Sequence, residues 1–284
     1  MIYCFKKVAR AFTILALITI FLNGQSDFLF NNISVNDGLS ESTVKVVFED
    51  KDGFIYFGTE NGLDLYNGYE FESFQMNAFD TTTLFGNKIS TIYQSKKNKL
   101  WLGTELGVTV FNLNDRSFSR PSALRSTESQ DLANSDVIIE DDYDNIWLKI
   151  PTSGSIYRYN TSTNKTICIN CSTNSEMNTA KGTYLYSDNN NGVWVGSENG
   201  LFRYNSKKNA VVKFSFSDDI NDSKVNVIKE GEIGDLWIGT ENGLVRIDLN
   251  TLKVINIYQT SENQNWIVSN NIKDIDWNNA EKEL

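Results

Sequence analysis

Four glutamates that recur at one position of a repeated phrase are the residues in this sequence best placed to do chemistry. They are Glu60, Glu105, Glu198 and Glu241. Each lies beside a predicted hairpin turn, so a repeat architecture would arrange the carboxylates in an arc on one rim. An arc of carboxylates can bind a cation or the hydroxyl groups of a sugar. Duplication of a repeat produces the same arc without any function, and both interpretations stay open.

The absence of histidine limits what those carboxylates can do. The sequence has no histidine, the side chain that most often performs acid–base catalysis and binds metals. Glycoside hydrolysis needs two carboxylates in different surroundings, whereas repeat positions offer equivalent ones. We therefore predict no catalytic residue, no metal site and no cofactor. The net charge of −10 argues against nucleic acid as a partner.

Cys168 and Cys171 form a Cys-x-x-Cys pair with three possible chemistries. A zinc site needs four ligands, and apart from Cys4 the chain has no further Cys or His. A thioredoxin-like motif is followed by a helix, whereas strand and polar loop sequence surround this pair. We predict a disulfide formed in an oxidising compartment, with two free thiols as the alternative.

A sequence motif that recurs five times along the chain must position these residues. Its aromatic anchors are spaced 45, 46, 47 and 43 residues apart and are Tyr56, Trp101, Trp147, Trp194 and Trp237. Periods of this size indicate a repeat architecture. Each anchor lies in a short apolar run, which predicts a buried strand. We expect all five anchors in the core.

A tight turn follows each of these strands. Residues 60–62, 198–200 and 241–243 read Glu-Asn-Gly, and Asn-Gly favours a type I′ turn with positive φ at both central residues. The turn leads into a second strand, and a further apolar run flanks the hairpin on each side. Four antiparallel strands per period are the blade of a β-propeller.

The predicted fold is therefore an all-β propeller of four-stranded antiparallel blades. The blades cover residues 44–75, 89–118, 137–167, 183–214 and 225–257, and residues 272–277 predict the first strand of a sixth. A lone strand is predicted at 28–35. Because the sixth blade lacks its central strands, we expect about five full blades in an open arc. Three aromatic residues of variable loops are candidates for stacking on a sugar ring, namely Phe79, Phe85 and Trp266.

The repeated phrases GFIYFGTENGLDLYNGYEF, LWLGTELGVTVFN and LWIGTENGLVRID resemble two-component regulator propeller repeats. Such repeats form the periplasmic sensor regions of bacterial hybrid two-component systems, and the Asn-Asp-Gly-Leu-Ser of residues 36–40 is also typical of them. The resemblance covers roughly residues 28–277. It implies a ligand-sensing or interaction module without catalysis, in a family of which many members respond to oligosaccharides.

The resemblance also implies partners that this chain does not contain. Full-length relatives continue into further domains, a transmembrane helix and a histidine kinase, and a chain without histidine holds no phosphoacceptor. We expect a fragment whose partners are an oligosaccharide and the remaining propeller, membrane and kinase modules. The alternatives are a propeller-fold polysaccharide lyase or glycosidase, and a non-functional truncated gene product.

Residues 1–26 have the layout of a secretory signal peptide. Lys6, Lys7 and Arg10 precede a largely apolar run at 11–22, and small or polar residues follow. The run is shorter than the roughly 20 residues that span a bilayer. We predict cleavage near Gly24 or Ser26 and a periplasmic domain, 27–284, without membrane insertion. Its net charge would be −13, because the removed segment has three cations and no acid.

Overall fold

The computed structural model describes residues 32–125, 132–171, 177, 182–216, 220, 222–231, 234–260 and 267–276. Twenty strands in this part of the chain form five four-stranded sheets. They are β1 Val44–Glu49, β2 Ile55–Thr59, β3 Gly62–Tyr66, β4 Phe71–Phe74, β5 Ile89–Gln94, β6 Lys99–Thr104, β7 Gly107–Asn112, β8 Ser117–Ser119, β9 Val137–Glu140, β10 Asn145–Lys149, β11 Ile156–Asn160, β12 Lys165–Cys168, β13 Gly182–Ser187, β14 Val193–Ser197, β15 Gly200–Asn205, β16 Ala210–Phe214, β17 Val225–Glu230, β18 Asp235–Thr240, β19 Gly243–Asp248 and β20 Lys253–Tyr258. Two short 3-10 helices cover Val35–Asp37 and Ser122–Leu124.

Each sheet is an antiparallel meander of four strands consecutive in the chain. The first strand of each sheet contacts the first strand of the next, from β1 through β5, β9 and β13 to β17. These five strands therefore lie innermost, and the sheets follow one another as blades. The five sheets do not close into a ring within the described residues. The predicted all-β, open five-blade architecture is confirmed.

The hairpin between the second and third strands differs from the predicted type I′ turn. In the first blade Thr59 pairs with Gly62, so the central residues are Glu60 and Asn61, and the positive φ of 122° belongs to Gly62. Thr59 Oγ1 accepts from Asn61 N at 3.0 Å and donates to Gly62 O at 3.0 Å. The threonine hydroxyl thus closes the turn, and the type I′ prediction is wrong.

Glycine in the second strand of a blade lets the next blade pack closely. A Cβ at Gly58 would lie 2.8 Å from Ile89 Cγ2, and a Cβ at Gly196 would lie 2.6 Å from Val225 Cγ1. Ile89 and Val225 begin the first strands of the following blades. At Gly58 and Gly196 the glycine therefore sets the spacing between blades, because a side chain at either position would push the neighbouring strand away.

All five aromatic anchors are buried, as predicted. Their exposed fractions run from 0% for Trp147 and Trp194 to 7% for Trp237. In three blades an aspartate six residues earlier accepts a hydrogen bond from the anchor. The bonds join Asp50 Oδ2 to Tyr56 Oη at 3.2 Å, Asp141 Oδ2 to Trp147 Nε1 at 2.9 Å and Asp188 Oδ2 to Trp194 Nε1 at 2.6 Å.

The two terminal strands predicted from the sequence are not present in the described residues. Of the predicted strand 28–35, residues 28–31 lie outside the described part of the chain, and Val35 begins a 3-10 helix capped by Ser34. Residues 272–276 form no strand, and Trp277 lies outside the described part. Ile272 nevertheless donates its backbone N–H to Thr240 O at 2.9 Å. A strand needs a ladder of several backbone bonds, whereas within the described residues this segment makes only that one.

Candidate functional site

The four repeated glutamates are held in three different ways. Glu60 forms a 3.1 Å ion pair with Lys45, and Glu241 forms the equivalent pair with Lys224 at 3.9 Å. Glu105 instead accepts backbone N–H bonds from Asn87 and Lys88, at 3.0 and 2.9 Å. Glu198 is exposed. The exposed pairs contribute little stability, so the equivalence that the repeats predict does not extend to the contacts of the carboxylates.

The candidate aromatic residues differ in how free their rings are. Phe79 is fully exposed, whereas Phe85 is half-buried under the guanidinium of Arg120, 5.1 Å from the ring centroid. Phe85 lies beside the hairpin of the second blade, because its carbonyl accepts from Thr104 Oγ1 at 2.6 Å. Trp266 lies outside the described residues. Sugar stacking on these aromatics stays a prediction, and Phe79 offers the free ring.

Cys168 is the last residue of β12, and Cys171 lies in the loop that follows. Their Cα atoms are 5.6 Å apart and their sulfurs are joined. Asn170, between them, accepts the Ile156 N–H at 2.8 Å and donates to Gly154 O at 3.1 Å, so the loop is fixed on β11. Among the described residues, no group of three or more acidic or cysteine side chains is arranged to hold a metal ion.

The cleft between the second and third blades contains a cavity beside a buried aromatic anchor. Its cavity, of about 380 Å³, is lined on one side by Ser95, Lys99, Trp101 and Val110, and on the other by Glu140 and further residues of the third blade. Trp101 is 5% exposed and Ser95 2% exposed. Trp101 Nε1 and Ser95 Oγ have no hydrogen-bond partner among the described residues.

Comparison of the blades explains why these two atoms lack a partner. The turn at residues 95–99 has the same backbone bonds as the turn at 50–54, since Ser95 N donates to Lys99 O as Asp50 N donates to Phe54 O. Ser95 therefore stands where the first, third and fourth blades have the aspartate that binds the anchor, and the fifth blade has Gly231 at this position. A serine side chain is shorter than an aspartate side chain and does not reach the indole N–H of Trp101.

A second residue of this cleft also differs from its counterparts in most other blades. The residue paired with the anchor across the third strand is Arg158, Arg203 or Arg246 in the last three blades, and Val110 in the second. Arg203 and Arg246 place their guanidinium groups 5.3 and 5.1 Å from the rings of their own anchors, Trp194 and Trp237. Val110 is too short to cover Trp101 in that way.

The charged groups that line this cleft are mainly cationic. Lys97 is paired with Asp144, and Glu140 accepts the Lys96 N–H at 2.7 Å. Arg120 donates to three backbone carbonyls, and burial lowers the pKa of its guanidinium. Together with Lys99, the lining holds three cations and one carboxylate.

The neighbouring cleft, between the third and fourth blades, holds a larger cavity of about 770 Å³, and Arg158 and Tyr204 are among the residues that line it. Arg158 donates to Tyr204 Oη and lies 5.4 Å from the Tyr204 ring centroid. The Tyr204 ring also meets Trp147 edge-on at 4.8 Å. Burial raises the pKa of Tyr204, and Arg158 partly offsets that rise. The N–H of Trp147 is bound by Asp141, and its neighbour on the next strand is Arg158. The indole of this cleft therefore has its hydrogen-bond partner.

Sequence reasoning missed the role of Ser95 and Val110, although the signal was present. Aligning the five phrases on their anchors places Ser95 opposite Asp50, Asp141 and Asp188. The same alignment places Val110 opposite three arginines. The deviating residues of a repeat were informative, whereas attention to the recurring glutamates favoured what all copies share.

The arrangement of five four-stranded meanders around their first strands defines a β-propeller. Two of its repeats, residues 38–61 and 83–105, match the family model of the two component regulator propeller. The resemblance stated from the repeated phrases is thereby confirmed. These segments are two-component regulator propeller repeats.

A segment of 59 residues is 36% identical to histidine kinase P4 of Formosa agariphila; it makes up 21% of this chain and 4% of the kinase. Among solved structures, the extracellular domain of the hybrid two-component system BT4673 from B. thetaiotaomicron superposes with a TM-score of 0.58 at 22% identity, over 78% of this chain and 28% of that one. Virginiamycin B lyase from Staphylococcus aureus superposes with a TM-score of 0.53 at 13% identity, over 75% and 68% of the two chains.

At these identities the solved structures share the fold with this chain. The chain matches only 4% of the kinase and less than a third of the extracellular domain. In the described residues, no helix combines the length and the apolar character that crossing a bilayer requires.

Proposed function

We propose that this chain is a ligand-sensing propeller of a bacterial two-component system that binds an oligosaccharide in the periplasm without transforming it. The match of residues 38–61 and 83–105 to two-component regulator propeller repeats carries this proposal. A sensor needs a rigid scaffold that presents variable loops, and the buried anchors supply the scaffold while Phe79 supplies an exposed ring on a loop.

The experiment that tests sensing is calorimetric titration of the full chain with a panel of neutral and acidic oligosaccharides, followed by chromatography of the recovered sugar. We expect one oligosaccharide to bind and to be recovered unchanged. Phe79→Ala should weaken binding, whereas Tyr69→Ala, which removes another exposed ring on the first blade, should not. Steady release of a shortened or unsaturated product would establish the lyase or glycosidase alternative instead. Absence of any binding would contradict the proposal.

Export is the second part of the proposal and has its own test. The cationic and apolar layout of residues 1–26 supports cleavage near Gly24 or Ser26. Intact-mass measurement of the protein recovered from the periplasm should show a chain that begins between Gln25 and Asp27. Lys6, Lys7 and Arg10 all replaced by Glu should keep the precursor in the cytoplasm. A periplasmic chain that retains Met1 would refute cleavage.

A further inference from the structure

We propose that the cleft between the second and third blades binds the carboxylate group of a small organic acid, which accepts hydrogen bonds from Trp101 Nε1 and Ser95 Oγ. This site is separate from the loop face proposed for the oligosaccharide and does not depend on that function. The ligand class follows from what the other blades place at the same point.

The first step of the argument is the chemistry that the anchors require. A buried indole N–H needs an acceptor, because leaving it without one forfeits the hydrogen bond that water would have supplied. In the third and fourth blades the acceptor is a carboxylate oxygen, from Asp141 at 2.9 Å and from Asp188 at 2.6 Å. A carboxylate supplied by a ligand would restore the same bond in the second blade.

The second step is that two buried donors line the same cavity. Ser95 Oγ–H and Trp101 Nε1–H are two buried donors without an acceptor among the described residues. A carboxylate has two oxygens and accepts from both. Lys99 and Arg120 line the same cavity, and their positive charges favour an anion over a neutral molecule.

The third step is space. The cavity of about 380 Å³ falls within the roughly 300 to 1,000 Å³ typical of small-molecule sites. Trp101 and Tyr159 both line it, and their rings contact each other with centroids 5.9 Å apart, so an apolar body would pack against this aromatic pair. The carboxylate of Glu140 accepts from the N–H of Lys96, the residue after Ser95, and so lies at the same end of the cleft. The fourth blade has two carboxylates in this arrangement, since the N–H of Asn189, the residue after Asp188, donates to Glu230 Oε2 at 2.9 Å.

The experiment follows the indole N–H of Trp101 by nitrogen-15 NMR while acetate, glucuronate or glucose is added to the full chain. The resonance is assigned by its loss in Trp101→Phe. We expect acetate and glucuronate to shift it saturably, and glucose to leave it in place. A larger affinity for glucuronate than for acetate would show that the body of the acid also contacts the cleft.

The decisive variant is Ser95→Asp, which supplies the carboxylate from the chain itself. It should move the Trp101 resonance toward those of Trp147 and Trp194 without ligand, and weaken carboxylate binding by at least about tenfold. Asn250→Asp adds the same charge at an exposed turn of the fifth blade and should bind as the natural chain does.

Three results would overturn the site. The Trp101 resonance could stay fixed with both acids, which would mean that water alone occupies the cleft. Glucose could shift it as the acids do, or Ser95→Asp could bind them unchanged. None of these results bears on the oligosaccharide titration, so the two proposals fail independently.

Discussion

Ile272 packs against Gly239 in the same way that the first strand of one blade packs against the glycine of the blade before it. A Cβ at Gly239 would lie 2.7 Å from Ile272 Cγ2, as a Cβ at Gly58 would lie 2.8 Å from Ile89 Cγ2. Asn226 Nδ2 donates to Ile272 O at 2.9 Å, where Ser90 Oγ donates to Ser135 O at 2.9 Å three blades earlier. The segment after β20 thus occupies the place of a sixth inner strand without forming one.

Gly239→Val should destabilise the protein, because the new side chain would displace Ile272 or Val227. Overpacking of this kind costs about 1 to 3 kcal/mol, measured as the free energy of unfolding in urea. In the background of Ile272→Ala the cost should be smaller, because one of the two clashing side chains is removed. Equal costs in the two backgrounds would show that Ile272 does not rest on Gly239.

Asp188→Ala and Ser95→Asp should change stability in opposite directions. Asp188→Ala leaves Trp194 Nε1 buried without its acceptor, and should cost about 1 to 3 kcal/mol of unfolding free energy. Ser95→Asp gives Trp101 an acceptor that it lacks, and should add about 1 kcal/mol. Chemical denaturation followed by tryptophan fluorescence measures both. A destabilised Ser95→Asp protein would show that an aspartate at position 95 cannot bind the anchor as the aspartates of other blades do.

Alkaline pH should unfold the protein through its buried tyrosines. Burial raises the pKa of six tyrosines above the ordinary value of 10.0, namely Tyr56, Tyr93, Tyr159, Tyr184, Tyr186 and Tyr204. A raised folded-state pKa means that the unfolded chain loses these protons first. The stability they contribute is therefore complete below pH 10 and is lost as the pH rises above it.

The measurement is the free energy of unfolding between pH 8 and pH 11, with tyrosinate absorbance recorded in parallel. Tyr93→Phe should reduce the slope above pH 10, whereas Tyr69→Phe, at a 95% exposed residue, should not. A stability that stays constant up to pH 11 would contradict the assigned burial.

Cys168→Ser should be tolerated, because a disulfide that closes so short a loop contributes only about 2 kcal/mol in the chain-entropy model. Asn170 holds the loop to Ile156 and Gly154 independently of the sulfurs. Asn170→Ala should therefore cost about as much as loss of the disulfide or more. Thermal unfolding with and without reductant measures both. Two alkylatable thiols in protein purified from the periplasm would show that the disulfide does not form.

The sequence by itself determined the repeat, the strand boundaries and the core. Period and apolar pattern are local properties, and each copy contains its own anchor, such as Trp101 or Trp194, with its flanking strands. Five copies therefore specify five blades, and the similarity of the phrases to known propeller repeats could be seen without any coordinates.

The tertiary structure decided the turn geometry, whether the segment at Ile272 forms a strand, and the shape of the cleft. Thr59 closes its hairpin through a hydroxyl that competes with the Asn-Gly turn preference, and Ile272 docks on Gly239 without becoming a strand. The cleft beside Trp101 depends on Ser95 and Val110, which differ from the residues at the same repeat positions of most other blades. Their effect appears only when the third blade covers them, because burial is what makes an indole N–H without an acceptor costly.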